Sequence, residues 1–110
     1  MPIVGTDELF AEVVRRLGAI DPVKVIAFGS RVRGDAGRQS DLDLVVVEAG
    51  GGTLGERGVR VRGALGDVGV PIDLVVYTPE EYERLRGWRS SIASIADREG
   101  IVLHETRRSA

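Results

Sequence analysis

Residues 28–44 read F-G-S-R-V-R-G-D-A-G-R-Q-S-D-L-D-L. Gly29-Ser30 is separated by ten residues from Asp41-Leu42-Asp43. An apolar run, 23–28, leads into the first pair, and a second apolar run leaves the aspartates. Glycine at a strand end permits a sharp turn and a close backbone approach to a ligand. Ser30 adds a hydroxyl donor, and Arg31 and Arg33 follow at the start of a possible short helix, whose N-terminus favours anions. The two aspartates supply oxygen ligands of the kind that hold divalent cations. Taken alone, Gly-Ser is an ordinary turn and D-x-D a common dipeptide pattern. A third carboxylate farther along the chain is what shifts the balance.

In a strand, residues two apart point to the same side. Asp41 and Asp43 therefore share a face, with Cα atoms ~6.6 Å apart at a rise of about 3.3 Å per residue. Side chains at that spacing can converge on metal ions about 3.5–4 Å apart. Asp73 interrupts the apolar run I-D-L-V-V-Y at 72–77. An ionised carboxylate in such a run is costly unless paired or metal-bound. If the 72–77 strand lies beside the 41–48 strand, Asp73 meets Asp41 and Asp43 on one sheet face. Three carboxylates would then surround one or two ions, and oxygen-only ligands suit Mg²⁺ or Mn²⁺ rather than zinc. The simpler alternative makes Asp41 a turn residue, Asp43 an exposed strand start and Asp73 the partner of an arginine.

The remaining chain reads as α-β-β-α-β-α-β. Leu9, Phe10, Val13, Val14 and Leu17 form one helical face, with Thr6 as cap and Gly18 as stop. Asp21-Pro22 marks a turn before the 23–28 strand. The 41–48 strand ends at Gly50-Gly51-Gly52. A helix over 54–68 is weakened by Gly55, Gly58, Gly63 and Gly66, each costing about 1 kcal/mol against Ala; packing against small residues is the expected compensation. Thr78-Pro79-Glu80-Glu81 carries an N-cap, a proline at the first helical position and a capping box. That helix runs toward Arg98 with a break near Gly87. Gly100 ends it, 101–103 forms a last short strand, and 106–110 reads as a frayed tail. This order indicates an α/β (α+β) fold, a small mixed sheet flanked by helices, with one domain over 1–110.

Composition narrows the partners. The 110 residues are 43% hydrophobic, as a globular core requires, and the net charge of −2 gives no reason to expect nucleic-acid or membrane binding. There is no cysteine, hence no disulfide or thiolate site, which is compatible with a cytoplasmic location. No signal-peptide pattern is present, and no apolar run approaches the roughly 20 residues that cross a bilayer. Neither a P-loop nor a dinucleotide fingerprint occurs. His104 has no histidine or cysteine companion for a metal site. Trp88, Ile92 and Ile95 lie at helical spacing and read as core or subunit interface. Tyr77 reads as packing, and Glu80, Glu81 and Glu83 as helix N-terminal charges. Nothing asks for modification of Tyr82.

Gly29-Ser30, ten residues, Asp41-x-Asp43 and a later strand aspartate, Asp73, resemble the polymerase beta-like nucleotidyltransferase superfamily. The short chain and the R-x-R-G segment at 31–34 look most like the minimal nucleotidyltransferases, MNT proteins, and the resemblance spans nearly the whole chain. It implies that Ser30 and the Gly29 backbone hold nucleotide phosphates, with Arg33 a further phosphate contact. It also implies that Asp41, Asp43 and Asp73 bind two Mg²⁺ ions, Asp73 activating an acceptor hydroxyl. The implied reaction is AMP transfer from ATP with release of pyrophosphate. Many such proteins resemble antitoxins that modify a tyrosine of a partner HEPN toxin. Transfer to a small molecule or nucleic acid, and non-catalytic toxin binding, are the competing functions. Base preference, acceptor and homo-oligomerisation stay open.

Overall fold

The computed structural model describes residues 6–34 and 41–106, with the side chain of Thr6 excepted. The expected Thr6 cap, residues 35–40 of the arginine-rich segment and the end of the tail lie outside the described residues. The elements are α1 (Thr6–Leu17), β1 (Lys24–Phe28), α2 (Ser30–Arg33), β2 (Leu42–Val47), α3 (Leu54–Leu65), β3 (Ile72–Tyr77), α4 (Pro79–Arg86), α5 (Ile92–Glu99) and β4 (Ile101–Glu105). The expected order is present, with the short helix after Gly29-Ser30 formed and the last helical stretch divided at residues 87–91. The strands form one mixed sheet in the order β3-β2-β1-β4. β1 is antiparallel to β2 and β4, whereas β2 and β3 are parallel.

A parallel pair needs a crossover long enough to return the chain to its starting edge, and α3 supplies it. The sheet is covered on both faces, so β2 is apolar on both sides apart from Asp43. On one face Leu42, Leu44 and Val46 pack with Leu9, Val13 and Leu17 of α1 and with Val61 and Leu65 of α3. On the other, Val45 and Val47 pack with Ile26, Tyr82 of α4, and Ala93 and Ala96 of α5.

Four local expectations change. α1 ends at Leu17, just before Gly18 as expected, but Gly18 is not a left-handed cap: it opens a 3-10 turn over Gly18–Ile20, and Asp21 takes the left-handed position at φ 47°. α3 ends at Leu65 rather than Val68, because Gly66 departs from helical geometry. No neighbour packs closely on the helical glycines: Gly58 and Gly63 face open space. α3 is instead held at its ends and by charge. Thr53 and Glu56 form a capping box, and Arg16 of α1 donates to the carbonyls of Leu65 and Asp67 at 2.7 and 3.0 Å. Arg60 pairs at 2.6 Å with Glu48, which is 2% exposed at the end of β2, and Arg57 pairs with Glu81 of α4 at 3.1 Å. Finally, Thr106 is anchored rather than frayed, its N–H donating to Val23 O at 2.8 Å.

The expected capping box at Thr78 is formed: Glu81 N donates to Thr78 Oγ1, and Thr78 N to Glu81 Oε1. The N–H of Thr78 is the largest influence on the Glu81 carboxyl and, with the lesser help of the Arg57 charge, holds it below its ordinary value against the opposing effect of burial, which is second in size. A depressed carboxyl stabilises the fold above its unfolded pKa of about 4.3 and loses that contribution as pH falls through the folded value. Glu81→Gln is therefore expected to lower the urea midpoint at pH 7 and to leave it nearly unchanged at pH 3. An equal loss at both pH values would contradict the ionic role of Glu81.

Candidate active site

The parallel register fixes the site. Asp43 of β2 is paired directly with Asp73 of β3, and register partners in adjacent strands present their side chains on the same sheet face. Asp43 is half-buried and Asp73 exposed. Their carboxyls are close enough to share a hydrogen bond when one is protonated. Asp41 stands one residue before β2 rather than within the expected 41–48 strand, where the N–H of Leu42 already bonds to Pro71 O at 2.9 Å. Its charge nonetheless acts on Asp43.

The desolvation cost expected at Asp73 falls instead on Asp43. Burial is the largest cause that raises the Asp43 pKa; the charge of Asp73, a hydrogen bond with Asp73 and the charge of Asp41 raise it further. Arg33, on α2, acts in the opposite direction. Among the described residues, no three His, Cys, Asp or Glu side chains are arranged to hold a metal ion. The carboxylate pair still suits Mg²⁺, which is usually held by one or two carboxylates with substrate phosphates completing the shell. The oxygen-only donor set agrees with that ion.

Gly29 abuts the pair from β1. Phe28 is the register partner of Asp43, so the next residue turns directly over the carboxylate. Gly29 has φ 82° and ψ −158°, a region essentially restricted to glycine. A Cβ there would lie 2.2 Å from Asp43 Oδ2. This second demand for glycine is invisible in the sequence, which suggests only room for a ligand. Ser30 opens α2, whose first turn is closed by Val32 N and Arg33 N donating to Gly29 O, each at 3.1 Å.

The residues set aside on sequence grounds lie outside this cluster. His104 contacts Thr106 Oγ1 at 3.0 Å. The Tyr77 and Tyr82 rings are 6.3 Å apart, and the buried Tyr82 hydroxyl donates to Asp97 Oδ1 at 2.8 Å. Trp88 and Ile92 are exposed, so the core half of their reading is corrected; Ile95 is half-buried.

The family model of the nucleotidyltransferase domain matches residues 7–98. Among solved structures, one described as a candidate minimal nucleotidyltransferase is 29% identical, with TM-score 0.57, covering 92% of this chain and 95% of its own. Another, described as a toxin-antitoxin crystal structure with AMP-PNP, is 22% identical with TM-score 0.55, covering 89% of this chain and 74% of its own. No curated protein sequence matches. The chain belongs to the nucleotidyltransferase domain family, and its mixed sheet and flanking helices are the minimal nucleotidyltransferase fold. Among the described residues, no helix is long and apolar enough to cross a membrane.

Two outcomes follow from the packed carboxylates. Gly29→Ala is expected to cost about 1–3 kcal/mol in urea unfolding, from backbone strain and the clash with Asp43; wild-type stability would contradict the close approach. A carboxyl whose folded pKa is raised gives stability that is present below its unfolded value and lost as pH rises through the folded one. Asp43→Asn is therefore expected to be more stable than the wild type at pH 7, with the gain vanishing near pH 3. A loss of stability at pH 7 would contradict the strain assigned to Asp43.

Proposed function

We propose that this chain transfers AMP from ATP to a hydroxyl acceptor, a tyrosine of a partner HEPN toxin, and so acts as an antitoxin. The observation carrying this reading is the direct Asp43–Asp73 register beside Gly29. Family membership supports the reaction class, and the likeness to a toxin-antitoxin structure holding AMP-PNP supports both the nucleotide and the kind of partner.

In this reading Ser30 and the Gly29 backbone hold the phosphates, with Arg33 completing the positive side of the site. Asp43 and Asp73 are the pair that would hold Mg²⁺, or Mn²⁺ in its place, with Asp41 joining from the residue before β2 when substrate phosphates complete the shell. Two such ions, when bound, supply charge stabilisation at the attacking and leaving oxygens. Asp73, exposed at the open side of the pair, takes the proton of the acceptor hydroxyl. The acceptor oxygen forms a bond to the α-phosphorus, the bond from that phosphorus to the bridging oxygen breaks, and pyrophosphate leaves with the electron pair. Cation charge beside Asp43 would favour its ionised form against burial and the charges of Asp73 and Asp41.

The test is incubation of the chain with MgATP and a HEPN-domain protein, followed by intact mass analysis. The expected result is one added AMP on a tyrosine, lost by at least about 100-fold in Asp43→Asn and in Asp73→Asn, as for removal of a preorganised electrostatic group. If Asp41→Asn with Asp43→Asn still neutralises the partner at native expression level, contact rather than transfer is the mechanism.

A further inference from the structure

β3 is the last strand of the sheet, and among the described residues nothing pairs with its outer side. The ladder shows which of its main-chain groups are left over. Pro71 O and Tyr77 O accept from Leu42 N and Glu48 N of the β2 side, both at 2.9 Å. Odd-numbered residues therefore aim their backbone at β2, and Ile72, Leu74 and Val76 aim theirs outward. Unpaired donors and acceptors at strand spacing are a template for another strand.

This edge is the floor of a groove of about 440 Å³. Residues 74–77 form the floor; Leu54, Gly58 and Arg62 of α3 form one wall, and Glu81 and Leu85 of α4 the other. Leu54 is 66% exposed. The Gly58 position opens onto empty space, so the missing side chain widens the groove. The charges are unequal. Glu81 is already engaged by Arg57 and the Thr78 N–H, whereas exposed Arg62 has no side-chain partner among the described residues. The groove thus presents a positive charge beside an apolar floor and an open backbone edge.

The groove's floor also begins next to the candidate active site, because Leu74 follows Asp73 in the same strand. We propose that it takes an extended segment of the acceptor protein as an added β-strand, apolar at alternate positions and carrying an acidic residue against Arg62. This rests on the transfer reading above. Adjacent strands lie about 4.8 Å apart, and side chains at paired positions share a face. A hydroxyl residue opposite Asp73 in the added strand is thereby brought to the carboxylate that takes its proton. A second copy of this chain fits less well, because helices α3 and α4 would wall its own β3 edge in the same way.

The experiment pans a phage-displayed library of random dodecapeptides on the immobilised full chain, and measures binding of synthetic copies of the selected peptides. The expected peptides alternate apolar residues and carry an acid, and they shift the ¹⁵N amide signals of Ile72, Leu74 and Val76. Gly58→Leu, which fills the groove and favours the helix, is expected to weaken binding at least about tenfold, the scale of a single interface anchor. Arg62→Glu is expected to switch the selected charge from acidic to basic. The proposal is overturned if no peptide is selected, if Gly58→Leu binds equally well, or if the shifts lie elsewhere. It is also overturned if sedimentation shows a wild-type dimer that Gly58→Leu dissolves, since a second copy then occupies the edge. A selected peptide with tyrosine placed opposite Asp73 is then incubated with MgATP. AMP addition supports the delivery role; intact binding without it, while the HEPN-domain protein is still modified under the same conditions, overturns that role alone, and loss of modification of both overturns the transfer reading.

Discussion

Two carboxylates held side by side by a parallel strand pair are the constraint around which the molecule is arranged. Asp43 and Asp73 occupy matched positions in β2 and β3. Like charges so placed oppose ionisation, and burial of Asp43 adds to the cost. A structure optimised for stability alone would place an apolar residue at either position. Retaining both is the kind of local conflict that functional sites impose on an otherwise consistent fold. The conflict is tolerable because Asp73 stays exposed and Arg33 offsets part of the field at Asp43.

The rest of the fold holds that pair in register. The crossover helix α3 must return the chain to the start of β3, yet it carries glycines that favour other conformations. Its stability comes from the buried Val61 and Leu65, a capping box, a C-terminal anchor from Arg16 and the pairing of buried Glu48 with partly exposed Arg60. Removing Arg60 would leave the Glu48 carboxylate buried without its charge partner, so the pair ties the end of β2 to α3. The open faces of Gly58 and Gly63 are compatible with this arrangement because the helix is fixed by its ends rather than by that surface.

Much of this was legible in the chain. The apolar runs gave the strands, the 72–77 strand to the residue, and T-P-E-E gave the start of α4. Alternation alone states the condition that Asp73 lie beside the first aspartates on one sheet face; the parallel register meets it for Asp43, while Asp41 stands before the strand. What stayed hidden is tertiary. Alternation does not tell which carboxylate is buried, and it assigned that cost to Asp73 instead of Asp43. Gly29 was read as space for a ligand, while part of its reason is Asp43 itself. The capping box at Thr53 and Glu56 carried a readable T-x-x-E signal. The Glu48–Arg60 and Arg57–Glu81 pairs join separate elements and had no local pattern to reveal them.

The most direct measurement is paramagnetic relaxation by Mn²⁺ of the side-chain carboxyl ¹³C signals, in the presence of a non-hydrolysable ATP analogue. A shared centre predicts that Asp43 and Asp73 broaden together at the lowest Mn²⁺ additions, ahead of every glutamate. Broadening of one without the other, or of surface glutamates first, would show that the two aspartates do not act as one cation centre.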